Sequence, residues 1–258
     1  MSNDALAIAA TGMKAQQYEI DAISNDFANI NTNGYKSSRV NFADVMYKPV
    51  TEVNNDAQNN VNQLGVGTMV ESSSKDFSQG APKQTQNPEN IAINGNGFFE
   101  VTLADGSYAY SRSNTLKPDS DGYLVTDGGY RLSDNIQLPP DTIAYQISKE
   151  GEVSVQLNNQ NELMSVGHIQ LAKFMNPGAL TAKGDGLYLT SNLSGEAYLD
   201  TPGQNGLGTL NQGMIEASNV NMVEEMMRLT MAQRAYQLNA KAAQVADDID
   251  KQTNELRR

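Results

Sequence analysis

The residues that could carry chemistry are few. The chain has one histidine, His168, in MSVGHIQLAKF, where alternating apolar and polar residues predict a strand with the imidazole at or near its surface. KPDSDGYLVTD offers Asp119 and Asp121 as oxygen ligands for calcium. With Gly122 at the sixth place of such a loop, however, the first ligand would be Lys117 and the twelfth Gly128, so the register fails and the stretch reads as a turn. Gly95 and Gly97 in GNGFFEV, and Gly203, Gly206 and Gly208 in GQNGLG, do not form a GxGxxG between strand and helix. Asn192 in NLS fits a glycosylation sequon, a pattern short enough to recur by chance. Carboxylates are plentiful, but sequence alone pairs no two of them. No catalytic, cofactor or metal site is expected, and the chain is not read as an enzyme.

Composition removes further classes. The net charge of −12 comes without a basic cluster, which argues against nucleic acid, whose affinity rests on clustered Lys and Arg. With no cysteine there is no disulfide, thiolate metal site or cysteine nucleophile. No apolar run approaches the ~20 residues of a membrane span, so no membrane insertion is expected. The N-terminal MSNDALAIAATGMK carries Asp4 where a secretory signal wants Lys or Arg, and Thr11-Gly12 break its apolar stretch. It does not read as a cleaved signal, so leaving the cell would need another export route.

The elements that must position whatever function remains divide by place. Both ends show helical periodicity; between them lie nearly all the Gly and Pro. Asp-Gly pairs at 105–106, 121–122, 127–128 and 185–186 separate short alternating runs (GFFEVTL, SYAYSR, GYLVTD, GLYLTS), which predicts hairpins. The fold class expected is α+β: long N- and C-terminal helices forming a coiled-coil-like inner part around a mostly β central domain. The boundaries are 1–34 for an N-terminal assembly helix, 35–71 for an extended connector, 72–217 for the β-rich domain and 218–258 for a C-terminal assembly helix.

The N-terminal helix carries one heptad seam, Leu6, Ala9, Met13, Gln16, Ile20, Ile23, Phe27 and Ile30. The C-terminal helix carries two. Met222, Met226, Leu229, Gln233, Tyr236, Ala240 and Ala243 form one; Met231, Ala235, Leu238, Ala242, Val245 and Ile249 form the other. They are two residues out of phase, about 200° around a helix. A helix apolar on both sides must be buried on both sides. Other copies of the chain are the simplest partners, and an intramolecular hairpin packed on the β domain is the alternative. Asn221 with Glu224 supplies an N-terminal cap for the second helix. In SNDFANINTNGYK, Asn25 and Asn29 fall off the seam and so face a second neighbour, or solvent at a frayed end. Asn31, Asn33 and Gly34 are expected to stop the helix in the left-handed conformation.

ATGMKAQQYEIDAISNDFANINTNGYKSSRVNFADVMY, INGNGFFEV and TPGQNGLGTLNQGMIEASNVNMVEEMMRLTMAQRAYQLNAKAAQVADDI together resemble the N-terminal, central and C-terminal signatures of flagellar basal-body rod and hook proteins. GQNGLGTLNQGMIEASNV and the polar segment 49–67, PVTEVNNDAQNNVNQLGVG, match the distal rod branch, with proximal rod and hook subunits as the runners-up. One departure is Asp26-Phe27, where relatives more often show Asn-Leu. The resemblance implies a self-assembling tube with the terminal helices inside and no cofactor. It also implies the other rod proteins, the hook protein and surrounding ring proteins as neighbours, in the periplasm-spanning basal body. Export through the flagellar type III apparatus would explain the missing signal peptide. The competing class is a secreted β-rich binding module that forms a closed oligomer.

Overall fold

The computed structural model describes residues 2–50, 62–112, 115–158 and 162–256. The middle of the polar segment 49–67, residues 51–61, lies outside them. The described residues form two compact units, one drawn from 2–28, 38–74 and 221–256, the other from 29–37 and 75–220.

The helical unit contains α1 (Ser2–Ala28) and α2 (Met222–Glu255). Asn221 caps α2 as its spacing suggests: its side chain accepts the Val223 N–H at 3.1 Å. Glu224 instead pairs with Arg39 at 3.2 Å. The stretch read as an extended connector holds paired strands: Ser38–Asp44 pairs with Thr68–Lys75, and Tyr47–Val50 with Asn62–Gly65. α1 stops at Ala28, earlier than the asparagine run suggests, and Asn29 and Ile30 sit in the turn beyond it. Of the three residues expected to take a left-handed conformation there, only Gly34 does, at φ 72°; Asn31 and Asn33 keep negative φ, since one glycine suffices to redirect the chain.

The sheet unit is antiparallel throughout its described pairs. Its nine-stranded sheet runs Thr181–Gly184, Leu187–Leu189, Tyr108–Ser111, Phe98–Thr102, Arg131–Leu132, Leu124–Thr126, Leu116–Pro118. Leu171–Lys173 also pairs with Phe98–Thr102 and carries Tyr198–Asp200 beyond it. A meander of Thr142–Ile147, Glu152–Leu157 and Leu163–His168 stands beside it. All four Asp-Gly pairs lie in hairpin turns of the sheet. Gly106, Gly122 and Gly186 take positive φ; in the third turn Gly129 does so rather than Gly128. The main core gathers Ile91, Phe99, Val101, Leu116, Leu124, Val153, Val155, Ile169, Leu171 and Leu210. A smaller cluster stacks Phe77, Phe98, Tyr110, Phe174 and Tyr188 edge to face at 4.7–6.1 Å, the arrangement aromatic quadrupoles favour. No closed barrel forms among the described strands.

Asp134 is carried in the turn after Arg131–Leu132. Burial, reinforced by the Glu100 charge, pushes its pKa up to about 6, against the Gln170 N–H it accepts at 3.0 Å and the charge of His168. A raised folded pKa means that the neutral acid is preferred in the fold. That contribution is full below the ordinary carboxylate pKa and is lost as pH rises through 6. Asp134→Asn keeps the acceptor and removes the charge. It is expected to stabilise the protein by about 1–3 kcal/mol at pH 7.5, with the gain shrinking towards zero near pH 4. Urea midpoints at the two pH values check this; an equal gain at both would remove titration as the cause.

Candidate assembly surface

The terminal helices pack along one another, mostly off the seams that their large residues trace. On α1 the inward line is Gly12, Ala15, Glu19, Ile23 and Asp26, with Ala15, Ile23 and Asp26 fully or almost fully buried. On α2 it is Glu225, Arg228, Ala232, Ala235, Asn239, Ala243 and Ala246, of which Glu225, Ala232 and Ala246 are buried. The partners descend α2 as they climb α1, with Gly12 against Asn239 and Glu19 against Arg228, so the helices are antiparallel. A Cβ on Gly12 would stand 2.8 Å from the Asn239 amide nitrogen. Glycine there lets the backbones approach.

Of the N-terminal seam, Ala9 is buried and Ile23 joins the packed face. Leu6, Met13, Ile20 and Phe27 lie half-buried on its flank, and Ile30 is half-buried in the turn beyond. The inward stripe of α2 lies between the two seams, roughly 75–100° from each at 100° per residue. Leu229 is half-buried, while Met222, Met226 and Tyr236 on one flank are exposed. So are Met231, Leu238, Val245 and Ile249 on the other, Met231 at 70% and Leu238 at 68%. Within one protomer α2 is therefore inverted: its small and charged residues face α1, and most of its large apolar ones face out. Asn25 is exposed and Asn29 half-buried, the latter's carbonyl accepting the Thr32 N–H at 3.0 Å.

Asp26 has its carboxylate fully buried, accepting the Ser38 N–H at 3.0 and 3.2 Å. Arg228 donates to Glu19 at 2.6 Å and to both Glu225 oxygens at 2.8 Å. Burial raises the Glu225 pKa, while the Arg228 charge opposes that shift.

In the sheet unit the residues missed by sequence reasoning are Lys36, Arg112, Glu216 and Asn219. Glu216 is buried, and one of its oxygens accepts from Lys36 Nζ at 2.7 Å and the Gly80 N–H at 2.8 Å. The other accepts from Arg112 Nε at 3.2 Å. Its backbone carbonyl takes the Gly34 N–H at 2.8 Å. Asn219 accepts the Ser37 N–H at 2.8 Å and donates to the Asp76 carbonyl at 2.8 Å. NGYK and EASNVN thus meet across 180 residues. Burial lowers the Lys36 and Arg112 pKa values, and Glu216 opposes both shifts. The signal was present, because these are the very strings that carry the family resemblance; their pairing was not.

The candidates for chemistry fall into structural roles. His168 is exposed at the end of its strand. Asp119 accepts the Asp121 and Tyr123 N–H groups at 2.9 and 2.8 Å, and Arg131 bridges both carboxylates at 2.8 and 2.7 Å, so a cation's place is filled by a guanidinium. The glycine-rich stretches face each other: a Cβ on Gly95 would lie 2.8 Å from Gly208 Cα. These glycines allow two backbones to touch.

Comparison with known proteins finds three family matches along the chain. Residues 6–36 match the flagella basal body rod protein family, 92–155 the flagellar hook protein FlgE/F/G D1 domain, and 211–256 the flagellar basal body rod FlgEFG protein C-terminal family. The matched segments define the class, the rod and hook proteins of the flagellum. The flagellar basal-body rod protein FlgG of Borreliella burgdorferi is 40% identical, over 98% of each chain. That of Caulobacter vibrioides is 39% identical, over 98% of this chain and 99% of its own. The hook protein FlgE of Salmonella typhimurium is 37% identical over 42% of this chain and 26% of its own. The chain belongs to the FlgG family of flagellar basal-body rod proteins.

Proposed function

We propose that this chain is a structural subunit of the flagellar distal rod, which polymerises into a rigid tube and transmits torque from motor to hook. The observation that carries this reading is the outward placement of Met222, Met226, Met231, Leu238, Val245 and Ile249 on two flanks of one helix. A lone protomer gains nothing from apolar side chains in water, and contiguous exposed apolar surface marks an interface. Two flanks about 180° apart can serve two neighbours, and contacts that repeat without closing give an open filament. In the polymer the terminal helices form a coiled-coil-like inner layer, with copies of the chain as the principal partners. The other rod proteins, the hook protein and the ring proteins are its neighbours, and the type III apparatus its export route. Its role is mechanical, not enzymatic. Electron microscopy with light scattering across a concentration series tests this. Polymers of one diameter and rising length are expected; a single discrete mass would favour the closed oligomer.

A further inference from the structure

The inward stripe of α2 has a weakness that its polar residues offset. Ala232, Ala235, Ala243 and Ala246 make a nearly smooth track, and a helix facing such a track can shift by a turn and meet similar residues. Against it α1 sets Gly12 and Ala15, equally small. Ile23 is the one large seam residue buried here; Leu6, Met13, Ile20 and Phe27 of α1 and the large apolar residues of α2 lie on the flanks. Asn239 interrupts the track opposite Gly12, and the charged interruption is Arg228, which, with its side chain 17% exposed, holds Glu19 at 2.6 Å and Glu225 at 2.8 Å. The second Glu19 oxygen is buried without a partner among the described residues. A one-turn slip would tear Arg228 from Glu19 and leave buried charges unpaired, a far larger penalty than exchanging one alanine contact for another.

We propose that Glu19, Arg228 and Glu225 set the register of α1 against α2, and through it the stagger of the apolar flanks that a neighbouring copy meets. The second half of this rests on the assembly reading; the first half concerns the single chain. Buried ion clusters are poor sources of stability, since apolar replacements of similar volume are often neutral or better. Their best-attested use is to select one arrangement among several of similar energy. The geometry fits that use, because the same guanidinium clasps one carboxylate on each helix.

The absence of cysteine makes the test clean. Gly12→Cys is combined with Asn239→Cys to report the observed register, or with Tyr236→Cys or Ala243→Cys to report a slip of one turn either way. Asn239→Cys also relieves the close approach at Gly12. Disulfide yields are compared in dilute protein under mild oxidation. In the parent chain the 12–239 pair is expected to dominate. With Glu19→Leu, Arg228→Met and Glu225→Leu together, helicity and melting temperature stay close to the parent, while cross-linking spreads to the 236 and 243 pairs. Arg228→Lys, which keeps the charge but loses the two-armed bridge, gives a smaller spread and serves if the triple variant fails to fold. Cross-linking confined to 12–239 in these backgrounds would overturn the proposal. The result is read on monomers, so a failure of the parent chain to polymerise would sink the assembly reading and leave this one standing.

Discussion

Glu216→Ala is expected to lower the melting temperature of the sheet unit by about 6–20 °C. The substitution removes the only carboxylate that accepts from both Lys36 and Arg112 among the described pairs, while both cations stay buried. Removing one partner of a buried charge cluster costs about 3–5 kcal/mol, and each kcal/mol is worth about 2–4 °C in a domain of this size. Lys36 retains the Ser78 carbonyl at 2.7 Å, and Arg112 the Gly95 carbonyl at 2.8 Å, so neither is stripped of all acceptors. Neither carbonyl carries a full charge, however, and the Gly80 N–H loses its acceptor as well. Glu216→Gln should fare little better, because it keeps the volume but not the charge. Adding Lys36→Met to Glu216→Gln removes one stranded cation and should recover part of the loss. Thermal melts followed by near-ultraviolet circular dichroism report mainly the sheet unit, which holds all the tyrosines except Tyr18, Tyr47 and Tyr236. A change below 1 °C in Glu216→Ala would show that the cluster does not hold the two signature segments together.

Much of this was legible from residue order, and the misses have one cause. Turn chemistry is local, so Asp105-Gly106, Asp121-Gly122 and Asp185-Gly186 announced their hairpins without help from the rest of the chain. Helix existence is nearly as local, and the Asn221 cap was legible from its position. The choice of packed face is not local. Three adjacent stripes of α2 satisfy a 3.5-residue period, and hydropathy favours the two that hold Met, Leu, Val and Ile. The stripe that packs on α1 holds Ala232, Ala246, Asn239 and Arg228, which a hydropathy reading passes over. Close approach of two backbones is decided by what is small, and Gly12 against Asn239 is visible only once both helices are placed. Lys36 and Glu216 were beyond reach for the same reason: each looks like an ordinary surface charge until a residue 180 positions away is brought beside it.

Most large residues of the seams on α2 are left uncovered by the protomer's own helix pair, and this gives them their experimental use. Leu238→Glu or Met231→Glu should leave the isolated protomer almost unchanged and raise the critical concentration for polymerisation by roughly 100-fold or more. Both side chains stand about two-thirds exposed, so within the protomer a polar replacement removes little packing, and such surface changes stay within about 0.5 kcal/mol. If a neighbouring copy covers them, each substitution forfeits about 1.5–3 kcal/mol of apolar burial and adds the cost of desolvating a carboxylate. Every 1.4 kcal/mol is tenfold in the association constant, so two such terms already reach the stated factor. Ile23 cannot serve this purpose. It is wholly buried between α1 and α2, so Ile23→Asp would disrupt the protomer before any assembly step is reached. Sedimentation across a concentration series, with a thermal melt of the same samples, separates the two effects. Normal polymerisation of Leu238→Glu would mean that this flank of α2 stays in water in the polymer. The assembly surface would then have to lie on the Met222–Met226–Tyr236 flank or in the sheet unit.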